Sequence, residues 1–284
     1  MPPSVYRKLV KIGNSVYVSI PRGWIESRGL GPGSIVAIEL VEGGLLLKPA
    51  EKYSSEVKVK QVVGGSSRDV ITAYLAGYEI IEIEKPSSEL KGALEKLLDL
   101  LVGLEVVEEG RDKLVLQCFV GEGYEVRGVL SRMDVISRSM YIDAAAALEN
   151  GDQEALEMVR GRDDKLDRLY FLAVRLIRST VQLPDVSAQD RLFLIDARLF
   201  AKLLEEIGDE AERMTYMQPA GDLLEAARCI SKYQKEAVEA FLGRGSKRLS
   251  TEELTRWILK RDEATAFSAL AKISKMVLDL MELL

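Results

Sequence analysis

Apolar residues recur at heptad spacing through the C-terminal half of the chain, and this periodicity constrains the fold more than any other feature. Three stripes run from Val126 to Ala147, from Leu156 to Ile177 and from Phe193 to Met214, with breaks at Gly151 and Pro184. Heptad spacing over such lengths is typical of helices that pack side by side. We therefore expect three helices of about 25 to 30 residues, joined by short loops, in an antiparallel bundle.

The remainder of the bundle reads as a second, incomplete repeat. Helices are predicted over Asp222–Leu242 and Thr251–Leu284. The sequence KRDE at Lys260–Glu263 is similar to GRDD at Gly161–Asp164, but the position that matches Asp167 is Ala266. A third helix is not evident, and the sequence closes on an apolar run. Either the chain is truncated, or the flank of the last helix packs on a partner.

Residues 5–49 show a different pattern, in which short alternating segments are separated by glycine and proline. Gly13-Asn14 supplies positions for a tight turn with positive φ, and a single helical turn is expected between Pro21 and Gly29. Strands are expected at Val5–Lys11, Val16–Ile20, Ser34–Leu40 and Leu45–Lys48. Four strands in so short a segment bury too little surface to fold alone, so a dimer is expected.

Residues 51–122 alternate between strand and helix periodicity and predict a small α+β unit. Strands are expected at Glu56–Val63, Tyr78–Glu84, Leu104–Glu108 and Lys113–Val120, and helices at Ser67–Ala76 and Ser88–Val102. The loop Gly64-Gly65-Ser66-Ser67 leads from a strand into a helix N-terminus. That geometry favours either an anion such as phosphate or simple N-capping by Ser67. The chain is therefore a multidomain α+β protein, with expected domains at 1–50, 51–122 and 123–284.

Charge is distributed unevenly along the chain. The formal net charge is −6, yet residues 1–28 contain five basic side chains and one acidic side chain. A basic segment in an acidic protein favours phosphate contacts with nucleic acid, with a barrel that merely has a basic surface as the alternative. No signal peptide or membrane span is evident, and Cys118 and Cys229 show no metal-ligand spacing, so a reduced cytoplasm is expected.

The N-terminal segment resembles the AbrB/SpoVT-type (MazE-like) swapped-hairpin DNA-binding domain. The resemblance rests on K-x-G-N-S-x-x-V-x-I-P-x-x-W, followed by G-L-x-x-G-x-x-V-x-I-E and G-x-L-x-x-x-P, and covers nearly all of Tyr6–Pro49. It implies a small dimeric β-rich barrel that binds double-stranded DNA. The residues that it implies in DNA contact are Arg7, Lys8, Lys11, Asn14, Ser15 and Arg22. Many members have arginine in the turn where this chain has Asn14-Ser15, so base preference does not transfer.

Acidic residues interrupt the apolar pattern of the helical half. Asp163 occupies a core position of the second stripe, and Asp167 lies one turn later. Glu205 and Asp209 have the same i, i+4 spacing on the third helix, where Gly208 would allow another group to approach. Two such pairs facing each other would form an oxygen-rich cage for a hard or borderline metal. Solvated carboxylates, or an arginine partner for Asp163 such as Arg198, are the alternatives.

The same residues carry a second resemblance. LLEEIGDEA at Leu203–Ala211 looks like the L-E-R-I-G-D-H-A signature of PhoU, the phosphate-uptake regulator, and Ala145–Leu169 looks like the preceding part of the same three-helix repeat. PhoU proteins bind metal clusters through E/D-x-x-x-D motifs. The resemblance therefore implies a divalent or an iron- or zinc-type metal on Asp163, Asp167, Glu205 and Asp209. Glu210 replaces the histidine of the signature, which leaves the metal's identity open.

Together these features indicate a cytoplasmic DNA-binding regulator of phosphate uptake, whose tail senses phosphate status through metal or through a transporter ATPase or sensor kinase. One alternative is an adaptor that inhibits the transporter or kinase without binding DNA. A second is an antitoxin-like regulator, although antitoxin tails are usually short and disordered until bound. The chain has no histidine and no activated serine or cysteine motif. We therefore expect no enzymatic activity.

Overall fold

The computed structural model of the protein describes residues 5–41, 43–49, 57–121, 123–183, 186–219, 222–245, 252, 254–255 and 265–284. The chain divides into two compact units, residues 1–56 and residues 57–284. Glu56, Pro184 and Lys260–Glu263, which the sequence analysis used, lie outside the described residues.

The described residues of the N-terminal unit form two antiparallel hairpins and one short helix. Its elements are β1 (Val10–Ile12), β2 (Ser15–Tyr17), α1 (Arg22–Ser27), β3 (Val36–Val41) and β4 (Gly44–Pro49). The predicted strand Val5–Lys11 was wrong in its first half, because β2 pairs only with Val10–Ile12 and no other described strand pairs with the residues before them. Gly13 has the expected positive φ of 61°, but among the described non-glycine residues only Lys85 and Asp222 do, so Asn14 does not.

Residues 57–121 form a four-stranded sheet with two helices that share its core. The elements are β5 (Val59–Val63), α2 (Ser67–Leu75), β6 (Ile80–Glu84), α3 (Ser88–Leu100), β7 (Leu104–Glu109) and β8 (Lys113–Cys118). The strand order is β5-β6-β8-β7, in which β5 and β6 are parallel and the other neighbours antiparallel. Ile81 and Ile83 alternate with the polar residues of β6 and are fully buried, as a sheet covered on one face requires.

The N-terminus of α2 is capped by hydrogen bonds between Ser66 and Asp69. The N-cap is Ser66 rather than the expected Ser67, and its hydroxyl accepts a hydrogen bond from the amide of Asp69. In return, the Asp69 carboxylate accepts from the Ser66 amide at 2.9 Å and from its hydroxyl at 2.7 Å. This reciprocal capping box accounts for the serine-rich sequence of the loop. The structure therefore favours simple N-capping over the binding of an external anion.

The long helices whose full extent lies in the described part of the chain are α4 (Val126–Asn150), α5 (Gln153–Val181), α6 (Ala188–Met214), α7 (Leu223–Phe241) and α8 (Phe267–Glu282). The first three contain 25, 29 and 27 residues, as the heptad stripes predict. The predicted helix Thr251–Leu284 was wrong around Thr265, which instead forms a β-bridge with Gln218, and α8 begins after it. None of the described helices combines the length and apolar character needed to span a membrane.

The end of the chain is covered within the bundle. Val277 and Leu280 of α8 are fully buried, where α8 packs against α6 and α7. The apolar run that closes the sequence therefore has its packing partners in this chain.

A buried polar network joins α4 to α7. The Gln234 side-chain amide donates to Asp134 Oδ1 at 3.1 Å and to Ser137 Oγ at 2.9 Å, and its carbonyl accepts from the Tyr141 hydroxyl at 3.1 Å. Arg138 also donates two hydrogen bonds to the Asp134 carboxylate. Because each buried group has a partner, the network specifies how the two helices pair without leaving an isolated charge.

The sheet is fixed to the bundle through α5. The buried Arg175 guanidinium donates to the Tyr74 carbonyl at 2.6 Å and lies over the Tyr74 ring, 4.8 Å from its centroid. Gly77, just after α2, lies so close to α5 that a Cβ there would be 2.6 Å from Ser179 Oγ. The backbone of the sheet unit thus touches the bundle directly.

Candidate metal centre and nucleic-acid interface

The acidic site lies between α5 and α6, and local sequence positions both helices. Asp152 caps α5 by accepting from the Ala155 amide at 3.0 Å, and Ser187 caps α6 by accepting from the Asp190 amide at 3.0 Å. On α5 the buried Val159 and Leu166 flank Asp163 along the core stripe. The apolar residues on either side therefore hold the carboxylate at the interface between the helices.

Three of the four predicted metal ligands come together. One carboxylate oxygen from each of Asp163, Asp167 and Asp209 lies within 4.8 Å of the other two. Among the described residues this is the group whose spacing suits a metal ion. The i, i+4 pair on α5 and one carboxylate of α6 thus form an oxygen-rich group of three, whereas the spacing predicts a group of four that includes Glu205.

The electrostatics of this group are unfavourable without a cation. Burial, followed by the charges of Asp167 and Asp209, raises the pKa of Asp163 to about 7. Burial and the charge of Glu205 raise the pKa of Asp209 to about 6, and the same two causes raise the pKa of Asp167. Carboxyl groups this close are stabilised by protons or by a bound cation.

One atom of the site lacks a partner. The Oδ1 oxygen of Asp163 is buried and accepts no hydrogen bond from the described residues. The expected competitor, Arg198, lies instead over the Tyr170 ring, 5.1 Å from its centroid. An orphaned carboxylate oxygen beside two further carboxylates fits a hard divalent cation.

Glu205 differs from the other predicted ligands. Its carboxylate accepts a hydrogen bond from Lys202 Nζ at 2.5 Å, and it is not in the group of three aspartates. It acts electrostatically on Asp167 and Asp209, so it lies beside the group. The sequence analysis did not single out Lys202, although a lysine three residues before Glu205 and four before Glu206 is a recognisable signal for helical ion pairs.

Glu210 is not part of the acidic site. The carboxylate is bound by Arg213 on the same helix and by Lys272 of α8, at 3.6 Å. Replacement of the signature histidine by Glu210 therefore changes a contact between α6 and α8. It does not change the donor set formed by the three aspartates.

All six predicted DNA-contacting residues are exposed, but they do not share one face. Lys11 is paired with Val16, and Ser15 with Ile12, so Lys11 and Ser15 project from opposite faces of the β1–β2 hairpin. Arg22 on α1 forms an exposed ion pair with Glu26 at 2.7 Å. Arg7, Lys8 and Asn14 lie outside the strands.

The N-terminal unit leaves much of its apolar surface uncovered. Of its described residues only Lys48 is buried. On the β3–β4 hairpin Leu40 faces Leu45, and Ile38 faces Leu47, so one face presents four aliphatic side chains. Leu40 is 88% exposed and Leu45 60% exposed. A face of this kind indicates that the unit is completed by another surface.

Two segments of the chain match known protein families. The sequence profile of the PhoU domain matches residues 130–216, and the profile described as "Antidote-toxin recognition MazE, bacterial antitoxin" matches residues 9–55. No curated protein and no solved structure matches the chain. The two profiles confirm both sequence resemblances and the fold class: an α+β chain with a MazE/AbrB-like head, a central sheet and a PhoU-like helical region.

Proposed function

We propose that this protein is a dimeric DNA-binding regulator of phosphate uptake whose helical tail responds to a bound metal. The observation that carries the proposal is the presence, on one chain, of a segment similar to MazE and a segment similar to the PhoU domain. The first supplies a surface for promoter DNA and the second a sensor of phosphate status. Because promoter DNA is the target, the protein acts in the cytoplasm, and it does so without catalysing a reaction.

The proposed DNA surface is basic. Arg7, Lys8, Lys11 and Arg22 are all exposed, as are Asn14 and Ser15 in the hairpin. Cationic side chains bind phosphates with a strong dependence on salt, whereas neutral polar groups near the turn can reach base edges. Pairing of two heads would place two such surfaces side by side.

The proposed homodimer follows from the uncovered apolar face of the head. Ile38, Leu40, Leu45 and Leu47 lie on one side of the β3–β4 hairpin. A second copy of the head would cover this face and supply a partner for the residues before Val10. Burying these side chains provides the hydrophobic stabilisation that a unit of this size lacks alone.

The proposed metal site consists of Asp163, Asp167 and Asp209, with Glu205 as the predicted fourth ligand. The orphaned Asp163 Oδ1 and the raised pKa values of Asp163 and Asp209 support it. A divalent cation bound there supplies the positive charge that offsets repulsion among the carboxylates. Asp163 and Asp167 on α5 would then be held against Asp209 on α6, which tightens the contact between these helices.

The proposed coupling links this site to the head. If the protein with metal and the protein without metal differ in DNA affinity, each ligand must change the affinity for the other by the same factor. A transporter ATPase or a sensor kinase that binds the helical tail would act through the same link.

Two alternative functions predict different binding properties for the head. An adaptor would use the head only to dimerise and would have no affinity for DNA. An antitoxin-like regulator is favoured by the family description of the head profile, and it would bind a toxin through residues outside the hairpins. The long ordered helices α4, α5 and α6 do not resemble the short, disordered tails that antitoxins use.

The test is fluorescence anisotropy of the full chain with DNA from its own promoter region across a salt series, with Mn²⁺ and with EDTA. Arg7→Ala tests the predicted surface, and Arg28→Ala is the matched control, because Arg28 is exposed on the same unit but outside the predicted set. We expect Arg7→Ala to weaken binding and to lower the salt slope by about 1, and Arg28→Ala to have little effect. Absence of binding at low salt would leave the adaptor in its place.

A further inference from the structure

Lys202 is a cation on α6 that lies beside the proposed metal site. Its ammonium is 2.5 Å from Glu205 and 3.5 Å from Glu206. It also acts on Asp167 and Asp209, where its charge partly offsets the effect of the neighbouring carboxylates. In the absence of metal this ammonium is thus a counter-charge for the acidic group.

The two carboxylates that share Lys202 differ in position. The side chain of Glu205 is 13% exposed, whereas that of Glu206 is 40% exposed. Glu205 faces the interface with Asp167 and Asp209, and Glu206 is the more solvated partner. The Lys202 ammonium therefore lies between Glu205, the more buried acceptor, and Glu206, the more exposed acceptor.

Tyr170 on α5 offers the ammonium a further contact. Lys202 Nζ is 5.7 Å from the centroid of its ring, a distance at which the ring face attracts a cation. Together, Glu206 and Tyr170 can retain the lysine after it has left Glu205. The side chain needs only a change of rotamer, because i, i+3 and i, i+4 neighbours are both in reach on a helix.

We infer that Lys202 is a built-in competitor of the metal, which holds Glu205 away from the three aspartates until a cation replaces it. When metal binds, the ammonium moves from Glu205 to Glu206 and Tyr170, and Glu205 becomes the fourth carboxylate ligand. This inference rests on the proposed metal site. It explains why Glu205, with the spacing of a ligand, is ion-paired while Asp163 Oδ1 has no partner.

Removal of the Lys202 ammonium should destabilise the metal-free protein and strengthen metal binding. Without metal, Lys202→Met loses a counter-charge that acts on both Asp167 and Asp209, so the protein should melt at a lower temperature in EDTA. With metal, Glu205 is free from the start and repulsion between two cations is removed. We expect Mn²⁺ to bind roughly ten- to a hundredfold more tightly.

The experiment is calorimetric titration of the EDTA-treated full-length protein with Mn²⁺, combined with thermal melting in EDTA. Lys272→Met is the matched control, because Lys272 pairs with Glu210 on the same helix α6, and Glu210 is not one of the three clustered carboxylates. Its Mn²⁺ affinity should stay within about twofold of the unchanged protein. Lys202→Arg, which keeps the charge, should not bind Mn²⁺ more tightly.

A double-mutant cycle separates the proposed exchange from general electrostatics. Glu206→Gln removes the outer acceptor and should weaken Mn²⁺ binding several-fold, because Lys202 then stays on Glu205. In the Lys202→Met background the same change should have an effect of less than about twofold. Equal effects in both backgrounds would mean that Glu206 acts only through its charge, which overturns the exchange.

The titrations distinguish an error in the role of Lys202 from an error in the metal site itself. If the unchanged protein binds Mn²⁺ and Lys202→Met binds it no more tightly, Lys202 is not a competitor and the metal site stands. If neither protein binds Mn²⁺, the metal site itself is wrong, and the inference is overturned with it. Tight binding by Lys202→Met alone supports both.

Discussion

Leu166 on α5 lies directly against Gly208 on α6, at a point where a side chain on residue 208 would overlap Cδ2 of the leucine. Met140 of α4 closes the same contact, 3.7 Å from the position of such a Cβ. The missing side chain of Gly208 thus allows α5 and α6 to approach each other. Because Asp167 and Asp209 are the next residues along these two helices, the same contact determines how close their carboxylates come.

This contact gives the first prediction. Gly208→Ala should lower the free energy of unfolding by about 1 to 2 kcal/mol, because overpacking outweighs the gain in helix propensity. It should also weaken Mn²⁺ binding, since Asp209 is displaced from the aspartates of α5. The control is Gly161→Ala on the exposed face of α5, where nothing lies within 4 Å, and it should be stabilising by up to about 1 kcal/mol. Urea unfolding and calorimetry measure the two effects.

The raised pKa values predict how stability depends on pH. The fold raises the pKa of Asp163 to about 7 and the pKa of Asp209 to about 6, from an ordinary value of 3.8. Between these values the folded state binds more protons, so the free energy of unfolding should fall as the pH rises from about 4 to about 7. Their stabilising contribution is complete below pH 4 and is lost as the pH passes through their folded pKa values.

Bound Mn²⁺ should reverse this trend, because metal requires the ionised carboxylates, and its affinity should rise by up to about tenfold per pH unit for each linked proton. Urea unfolding in EDTA and in Mn²⁺ at pH 5 and pH 8 tests both signs. In Asp163→Asn the slope in EDTA should be shallower. A metal-free protein that becomes more stable from pH 5 to pH 7 would contradict the assignment.

If the N-terminal unit dimerises through its aliphatic face, a single charge introduced on that face should disrupt the dimer. Leu40→Asp places a carboxylate on the exposed aliphatic face opposite Leu45, where a second copy would have to bury it. Light scattering should show the mass of a monomer, and DNA binding should be lost with it. Val63→Asp is the control, because Val63 is also an exposed aliphatic residue but lies on β5 in the other unit. A dimer that persists in Leu40→Asp would place the interface elsewhere.

The α4–α7 network predicts a large effect at one buried amide. Gln234→Leu removes three hydrogen bonds and leaves Asp134 and Tyr141 with fewer partners, so unfolding should become easier by about 2 to 4 kcal/mol. Gln61→Leu is the matched control on the exposed surface, where Gln61 makes one hydrogen bond to Glu82, and it should cost less than about 0.5 kcal/mol. Urea unfolding compares the two.

Local periodicity made much of this fold predictable. The heptad stripes place α4, α5 and α6, and Asp163 is conspicuous in the sequence because it interrupts a stripe of apolar residues. Alternation likewise places the strands of the sheet, since one face of it is buried. Features that arise from one helix or one strand could therefore be derived before the structure was known.

Features that depend on distant segments could not. Glu210 pairs with Lys272, which is remote in sequence, and Thr265 interrupts a helical pattern because its backbone pairs with Gln218. The i, i+3 spacing of Lys202 and Glu205 makes their ion pair possible, but whether Glu205 pairs with Lys202 or joins the aspartates depends on a rotamer and on the local electrostatic field. The shortness of β1 has the same origin, because residues before Val10 lack a partner strand within the described part of the head.

Helix α5 carries Asp163 and Asp167 near its middle, and Arg175, which donates to the Tyr74 carbonyl of the sheet unit, lies twelve residues after Asp163. Those twelve residues span about 18 Å of uninterrupted helix. A helix is stiff along its axis, so a small displacement of Asp163 along α5 would displace Arg175, and the Tyr74 carbonyl that it binds, by nearly the same distance. The sheet unit, for which the sequence offers no role, is therefore attached to one of the two helices that form the acidic site.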